Sequence, residues 1–350
     1  MKYVAGIDVG STYTKVVLLS PDNEIMGKDI LPTGFKLTEV SRKVFDNVLL
    51  SSGLSEDDIG YIIATGYGRH RVDYCDLTVT DLTSTARGSN LLFPGTMTVL
   101  DIGGQTMKAS RLDENVKVKS FRLNDKCAAG TGAFLEKTAR YMGYDTEEIG
   151  PLVLTSKETV PISGVCAVFA ESEVINQLSL GSAPSDIMYG AMSSLVKRAI
   201  QLLKRVKMEP NVTLSGGIMR FPSMIKLLED QLEDGILNVP EGDLVQFTTA
   251  VGAATLALQR MKVIVTAGVS NVCDISPSNK DKLKSDGWEK QFTCSEPRLS
   301  EAIDLFKSLR REVHLEPLIE QDKPMGSNCD ACYMSCSDEM KTIWTRKLNN

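Results

Sequence analysis

A chain of 350 residues, 42% hydrophobic and 24% charged, has enough material for two domains with cores of their own. Its net charge of −6 argues against a general nucleic-acid binder, and no apolar run reaches the roughly 18 residues of a membrane span. The first apolar run is broken by Asp8 and Gly10, unlike a signal peptide, so a cytoplasmic protein is expected, with its eight cysteines serving as thiols or metal ligands rather than disulfides.

Tyr3 to Ile7 reads as a strand, followed by a small-residue turn and a second strand, Val16 to Leu19. The segment IDVGSTYTK (7–15) between them returns as LDIGGQTMK (100–108), again between a strand ending at Leu100 and a more polar one, Met107 to Leu112. Each copy predicts a β-hairpin. Asp8 and Asp101 lie 93 residues apart, the spacing of a duplicated domain rather than of a solenoid repeat. Neither copy is a Walker A loop. Gly10, Gly103 and Gly104 let backbone amides approach phosphate oxygens, Ser11, Thr12 and Thr14 add hydroxyls, and Asp8 and Asp101 can hold Mg²⁺ through its waters. The pattern suits a nucleotide.

Between the copies, ATGYGR (64–69) is either a loop near nucleotide or partner, or a turn before a helix, and Cys75 reads as a core thiol. The two histidines, His70 and His314, stand too far apart in sequence to suggest a catalytic pair. NDKCAAGTGAFLEK (124–137) puts Cys127 ahead of a helix whose apolar stripe is Phe134, Leu135, Thr138/Ala139 and Met142. SGVCAVFAESEVINQL (163–178) does the same with Cys166, its stripe running through Val168, Phe169, Val174/Ile175 and Leu178. A thiol at a helix mouth is favoured as thiolate, or beside a bound anion. A four-thiolate cluster needs four cysteines, so two chains around a twofold axis would complete one; tetrahedral zinc or plain buried thiols fit the same residues. KRAIQLLKRVKM (197–208) is a basic amphipathic helix, expected to be solvated or to meet an acidic partner.

NVTLSGGIMRFPSMIKLLEDQL (211–232) predicts a strand, a Gly216–Gly217 turn on which a base or ribose can lie, and a helix. TTAVGAATLAL (248–258) predicts a helix of small residues packed closely on the core. Beyond it, EPRLSEAIDLFKSLRREV (296–313) predicts one amphipathic helix. Cys329, Cys332 and Cys336 form a C-x2-C-x3-C run able to hold a second iron–sulfur or zinc site, with Cys273 or Cys294 as fourth ligand.

Two phosphate hairpins followed by a Gly-Gly turn resemble the actin–hexokinase–Hsp70 superfamily of ATPases. That resemblance implies an α/β fold of two related domains closing over ATP, here 1–95 and 96–260, the last helix able to pack back on the first, with an extension, 261–350. More narrowly, GIDVGSTYTK, ATGYGR, LDIGGQ, NDKCAAGTGAFL and CAVFAESEVI together resemble the ATP-dependent activators of 2-hydroxyacyl-CoA dehydratases and the ATPase subunits of benzoyl-CoA reductase, over roughly residues 3 to 260. The family implies a homodimer, or two homologous subunits, around one [4Fe-4S] cluster held by Cys127 and Cys166 of each chain. It further implies Mg²⁺·ATP, a ferredoxin or flavodoxin as electron donor, and a CoA-thioester dehydratase or reductase as acceptor of one electron. By motif, Asp8, Ser11, Thr12, Thr14 and Lys15 would line one side of the phosphates and Asp101, Gly103, Gly104 and Gln105 the other. Gly216 and Gly217 would sit by the adenosine, and Glu171 is the candidate to position the attacking water. Thr106 stands where relatives commonly carry Asp. Two other functions share the residues: a metabolite kinase without a cluster, and a nucleotide-dependent assembly factor for another metalloenzyme.

Overall fold

Tyr3–Val9 (β1) is buried along nearly its whole length, which requires both faces of its sheet to be covered. Tyr13–Leu19 (β2) pairs antiparallel with it, and Ile25–Pro32 (β3) with β2. Leu37–Ser52 (α1) turns its buried residues Val44, Phe45, Val48 and Leu49 to one face of the sheet and ends at Gly53 in the left-handed conformation. Ile59–Thr65 (β4) and Leu77–Thr78 (β5) then add parallel strands, so the order is β3-β2-β1-β4-β5. The computed structural model describes residues 2–124, 131–162, 167–232, 237–266, 287–294, 303, 306, 311–317 and 341–347.

Asp81–Leu92 (α2), capped by the Thr80 side chain, leads to a second sheet. Thr98–Ile102 (β6), Met107–Leu112 (β7) and Val118–Asn124 (β8) are antiparallel neighbours. Helices follow: Gly132–Tyr141 (α3), Ile149–Leu154 (α4), Ala167–Ser179 (α5) and Pro184–Val206 (α6). Val212–Ser215 (β9) pairs parallel with β6; Pro222–Glu229 (α7) comes next, and Leu237–Asn238 (β10) pairs parallel with β9. The order β8-β7-β6-β9-β10 repeats the first sheet strand for strand, with the same parallel and antiparallel pairings. This is the two-sheet α/β architecture of the actin–hexokinase–Hsp70 type.

Thr248–Thr266 (α8) then lies across β1, β2 and β4, covering the first sheet's second face with Ala250, Val251, Ala253, Ala254 and Ala257. Its small residues have a steric reason. A methyl group on Gly252 would stand 1.7 Å from the Ser84 carbonyl oxygen, so α2 and α8 cross backbone to backbone. Thr85 and Thr249 hydroxyls join the two helices at 2.9 Å. The helix that follows the first sheet and the helix that follows the second thus pack together, α2 also touching β6 and β9.

Met1–Ala267 forms one unit and Gly268–Asn350 another. In the second, Glu289–Cys294 (β11), Arg311–Pro317 (β12) and Lys341–Lys347 (β13) make an antiparallel sheet in the order β11-β13-β12 around buried Ile343 and Trp344. The single helix expected over 296–313 is corrected here. Residues 303 and 306 are helical, but Arg311, Glu312 and Val313 begin β12, where Glu312 and Val313 pair with Arg346 and Thr345. The β-branched and alternating run EVHLE prefers the sheet once β13 is there to pair with it.

Candidate nucleotide site

The two hairpins have the same backbone. Asp8 is paired with Lys15 across β1 and β2, and Asp101 with Lys108 across β6 and β7. Each turn is closed by the same bond: Gly10 N–H donates to the Tyr13 carbonyl at 3.1 Å and Gly103 N–H to the Thr106 carbonyl at 2.8 Å. The turns meet tip to tip. A methyl group on Gly104 would stand 2.2 Å from Thr12 Oγ1, so a larger residue there would have to displace the Thr12 side chain.

Around them lies a cleft of about 700 Å³. Asp8, Gly10, Ser11, Thr12, Lys15, Asp101, Gly103, Gly104, Gln105, Gly216 and Gly217 all line it. Gly216 carries φ +101°, and a methyl group there would stand 2.1 Å from the Ile102 carbonyl oxygen; the turn holds the chain against the end of β6. Leu135, Ile149, Ile218 and Phe221 give the same end of the cleft an apolar wall, fit for a planar base. Gly66, Tyr67 and Arg69 of ATGYGR also line the cleft, and Gly68 N–H donates to the Val9 carbonyl at 2.9 Å.

Two expected residues stand elsewhere. Thr14 does not line the cleft: in the alternation of β2 its side chain points inward, is fully buried, and shares a 2.9 Å hydrogen bond with Thr33. Its repeat equivalent, Met107, is buried too. Glu171 is not in the cleft either; on α5 its carboxylate accepts from Lys137 Nζ of α3 at 2.6 Å. In the α5 stripe Val174 is buried, whereas Ile175 is 50% exposed, so the apolar face is narrower than the spacing predicts.

The expected Lys15 does reach the site, where its Nζ donates to Asp8 at 3.0 Å. Three further cleft residues, Lys108, Asp81 and Glu136, lie beyond the motif reading. Lys108 lies 3.8 Å from Asp101 and donates a short hydrogen bond to Asp81 of α2. Burial raises the Asp101 carboxyl above the ordinary carboxylate range, against the pull of Lys108. Burial alone would lower the Lys108 ammonium, but Asp101 and Asp81 outweigh it and hold it above its ordinary value. Glu136, on α3, faces the cleft half-buried, its carboxyl raised by burial and pulled back by Arg140 and Arg220. The only signal for Lys108 in the sequence is its place as the repeat partner of Lys15.

One further contact links the cleft to the first cysteine segment. Gly132 N–H donates to the Gly103 carbonyl at 3.0 Å and Ala133 N–H to the Gly104 carbonyl at 2.9 Å. The first turn of α3 is therefore bonded to the second phosphate hairpin, and α3 in turn touches α5. Cys127 precedes α3, and Cys166 immediately precedes α5. Both lie outside the described residues, as do Cys273, Cys329, Cys332 and Cys336; of Cys294 only the backbone, in β11, is described. Among the described residues no three His, Cys, Asp or Glu side chains gather as a metal site, and no helix is long and apolar enough to cross a membrane. Cys75 is half-buried, donates to the Val72 carbonyl at 3.1 Å, and has its thiol pushed up by burial, as an inert core thiol should.

The sequence profile of the BadF/BadG/BcrA/BcrD ATPase family matches residues 5–257. The 2-hydroxyisocaproyl-CoA dehydratase activator of Clostridioides difficile is 38% identical over 260 residues, 74% of this chain and 96% of that one. One of the subunits of the benzoyl-CoA reductase of Thauera aromatica is 31% identical over 291 residues, 78% of this chain and 99% of that one. The solved structure of the Clostridium difficile activator with bound ADPNP superposes with a TM-score of 0.71 at 36% identity, covering 77% of this chain and 99% of that one.

Proposed function

The chain belongs to the BadF/BadG/BcrA/BcrD ATPase family, and from that premise we propose that it uses ATP hydrolysis to deliver one electron to a CoA-thioester dehydratase or reductase. Cys127 and Cys166 of two chains would hold a [4Fe-4S] cluster where the chains meet, and the cluster would supply one-electron chemistry between a low-potential donor and the acceptor. The named relatives support the acceptor class, since one activates an acyl-CoA dehydratase and the other is part of an acyl-CoA reductase.

The cleft has the donor set a Mg²⁺·nucleotide requires. Two glycine turns line the cleft together with Ser11 and Thr12, and turns of this kind let backbone amides approach phosphate oxygens. Asp8 and Asp101 would hold the cation through its waters, as hard oxygen ligands do. Lys15 and Lys108 orient those carboxylates, and Lys108 opposes the rise that burial imposes on Asp101. Gly216–Gly217 and the apolar wall would receive the adenosine. Glu171, paired with Lys137, does not line the cleft.

The observation that carries the reading is the pair of bonds from Gly132 and Ala133 to the carbonyls of Gly103 and Gly104. Whatever the hairpin does on exchanging ATP for ADP is felt at the first turn of α3, and through Lys137 and Glu171 at α5. A nucleotide does work on the cysteines only by favouring different positions of these helices, and this is the physical route by which it would. The test is anaerobic: iron and molecular size measured together on the full chain and on a Cys127→Ser/Cys166→Ser variant. About four irons per pair of chains should disappear in the variant. An equal iron content in both proteins, or a monomer that keeps all its iron, would contradict the proposal.

A further inference from the structure

A second cleft, of about 620 Å³, opens on α6. Lys197, Arg198 and Arg205 line it, together with Ser193, Ser194 and Gln201, and among the described residues no carboxylate lines it. Its opposite wall is the segment Thr159–Ile162, fixed in place at Gly190: a methyl group there would stand 1.8 Å from the Val160 carbonyl oxygen. Leu202 and Ile162 are buried in its floor, while Lys197, Gln201 and Arg205 are exposed.

Lys197 and Arg205, exposed and facing one space, run against the charge of the molecule, which is −6 overall. With these cations and, among the described residues, no carboxylate in its lining, the cleft attracts anions. Lys197, Gln201 and Arg205 recur every fourth residue, so they form a row on one helix face, about 6 Å apart per step and about 12 Å from end to end. A single phosphate cannot span that row. An extended peptide presents alternate side chains on one side about 7 Å apart, and acidic residues at alternate positions would match it. The cleft also neighbours both cysteine segments in sequence: Asn124 stands three positions before Cys127 and Ile162 four before Cys166.

We propose that this cleft receives an acidic, extended segment of the electron-accepting protein, steering that protein onto this face of α6. The assignment rests on the electron-transfer reading above. Lys197 and Arg205 act by charge, drawing the segment in and setting its register, while Gln201, Ser193 and Ser194 supply neutral hydrogen bonds to its backbone.

The probe is a dye-labelled peptide of alternating aspartate and glycine, about twelve residues long, titrated into the full chain by fluorescence anisotropy. Binding should be measurable at low salt and weaken steeply as NaCl is raised. A K197E/R205E variant should bind at least about tenfold more weakly, a K197R/R205K variant within about threefold of the parent, and a control reversal on α1, K43E, unchanged. ATP hydrolysis should stay within about twofold in all of them, which certifies their folding. Equal peptide affinity in the parent and in K197E/R205E would overturn the proposal. So would binding of coenzyme A or inorganic phosphate that K197E/R205E abolishes while the peptide fails to bind, since the cleft would then take a small anion. The titration needs no iron in the protein. Failure of the cluster proposal shows in iron content, and failure of this one in peptide affinity.

Discussion

In the first hairpin Asp8 meets one lysine, Lys15, at 3.0 Å, and its turn is backed by Gly68 N–H on the Val9 carbonyl. In the second, at the same register, Asp101 shares Lys108 with Asp81 of α2, and the carbonyls of Gly103 and Gly104 carry the first turn of α3. The backbone is duplicated and the surroundings are not. The first hairpin is closed on its own sheet. The second is tied to two helices, one that crosses to α8 and one that follows Cys127. On the proposed function the difference would give them different tasks: the first would anchor the phosphates, and the second would pass their state on to helix position.

The comparison is broken most severely at the carboxylates. Asp8→Asn and Asp101→Asn should each lower the ATP hydrolysis rate by about 100-fold or more, because charge positioning supplies most of the catalysis in phosphoryl transfer. Steady-state kcat checks this; normal turnover in both variants would make the hairpins structural only.

Next in size is the meeting of the tips. Gly104→Ala forces its methyl group against Thr12 Oγ1, whereas Gly103→Ala meets nothing nearer than 3.6 Å. Nucleotide affinity by equilibrium titration should fall about tenfold in the first variant and less than about threefold in the second. Equal losses would show that the tips need not touch.

The shared lysine gives a pH signature. Asp101 is raised by burial, so hydrolysis should be lost as pH falls through a value above the ordinary range for Asp. Lys108→Met removes a stabilising cation and raises Asp101 further, moving that acid limb to higher pH. Lys15→Met should leave the limb that belongs to Asp101 in place. Rate profiles of the three proteins decide it. The smallest effect is expected at the exposed pair on α3 and α5: Lys137→Gln should leave hydrolysis within about twofold and the thermal midpoint nearly unchanged, since solvent screens such pairs.

Much of the first unit is legible in its sequence because the duplicated motif states its own geometry. Asp, Gly and Lys at fixed offsets give the hairpin, its register and the cleft floor, and the small residues of α8 predict its close packing. Asp81 is not legible as a site residue: it becomes one only when α2 lies across the second sheet and brings it to Lys108, 27 residues away. Glu171 shows the opposite failure. Its offset from Cys166 suggests the cleft, yet the rotation of α5 turns it to Lys137. Thr14 sits in a motif whose other hydroxyls face the cleft, but strand alternation turns it inward. In the C-terminal unit, the residues Arg311–Val313 carry helix-compatible spacing, and pairing with β13 overrides it.

Iron removal reads out whether nucleotide state reaches the cysteines through the second hairpin and α3. Full chain prepared anaerobically would be exposed to a ferrous chelator with saturating Mg²⁺·ATP analogue and, separately, with Mg²⁺·ADP. Clearly different rates of iron loss with the two nucleotides are expected in the parent protein, and a reduced difference in Gly104→Ala measured at saturation. Identical rates with both nucleotides in the parent protein would contradict that route.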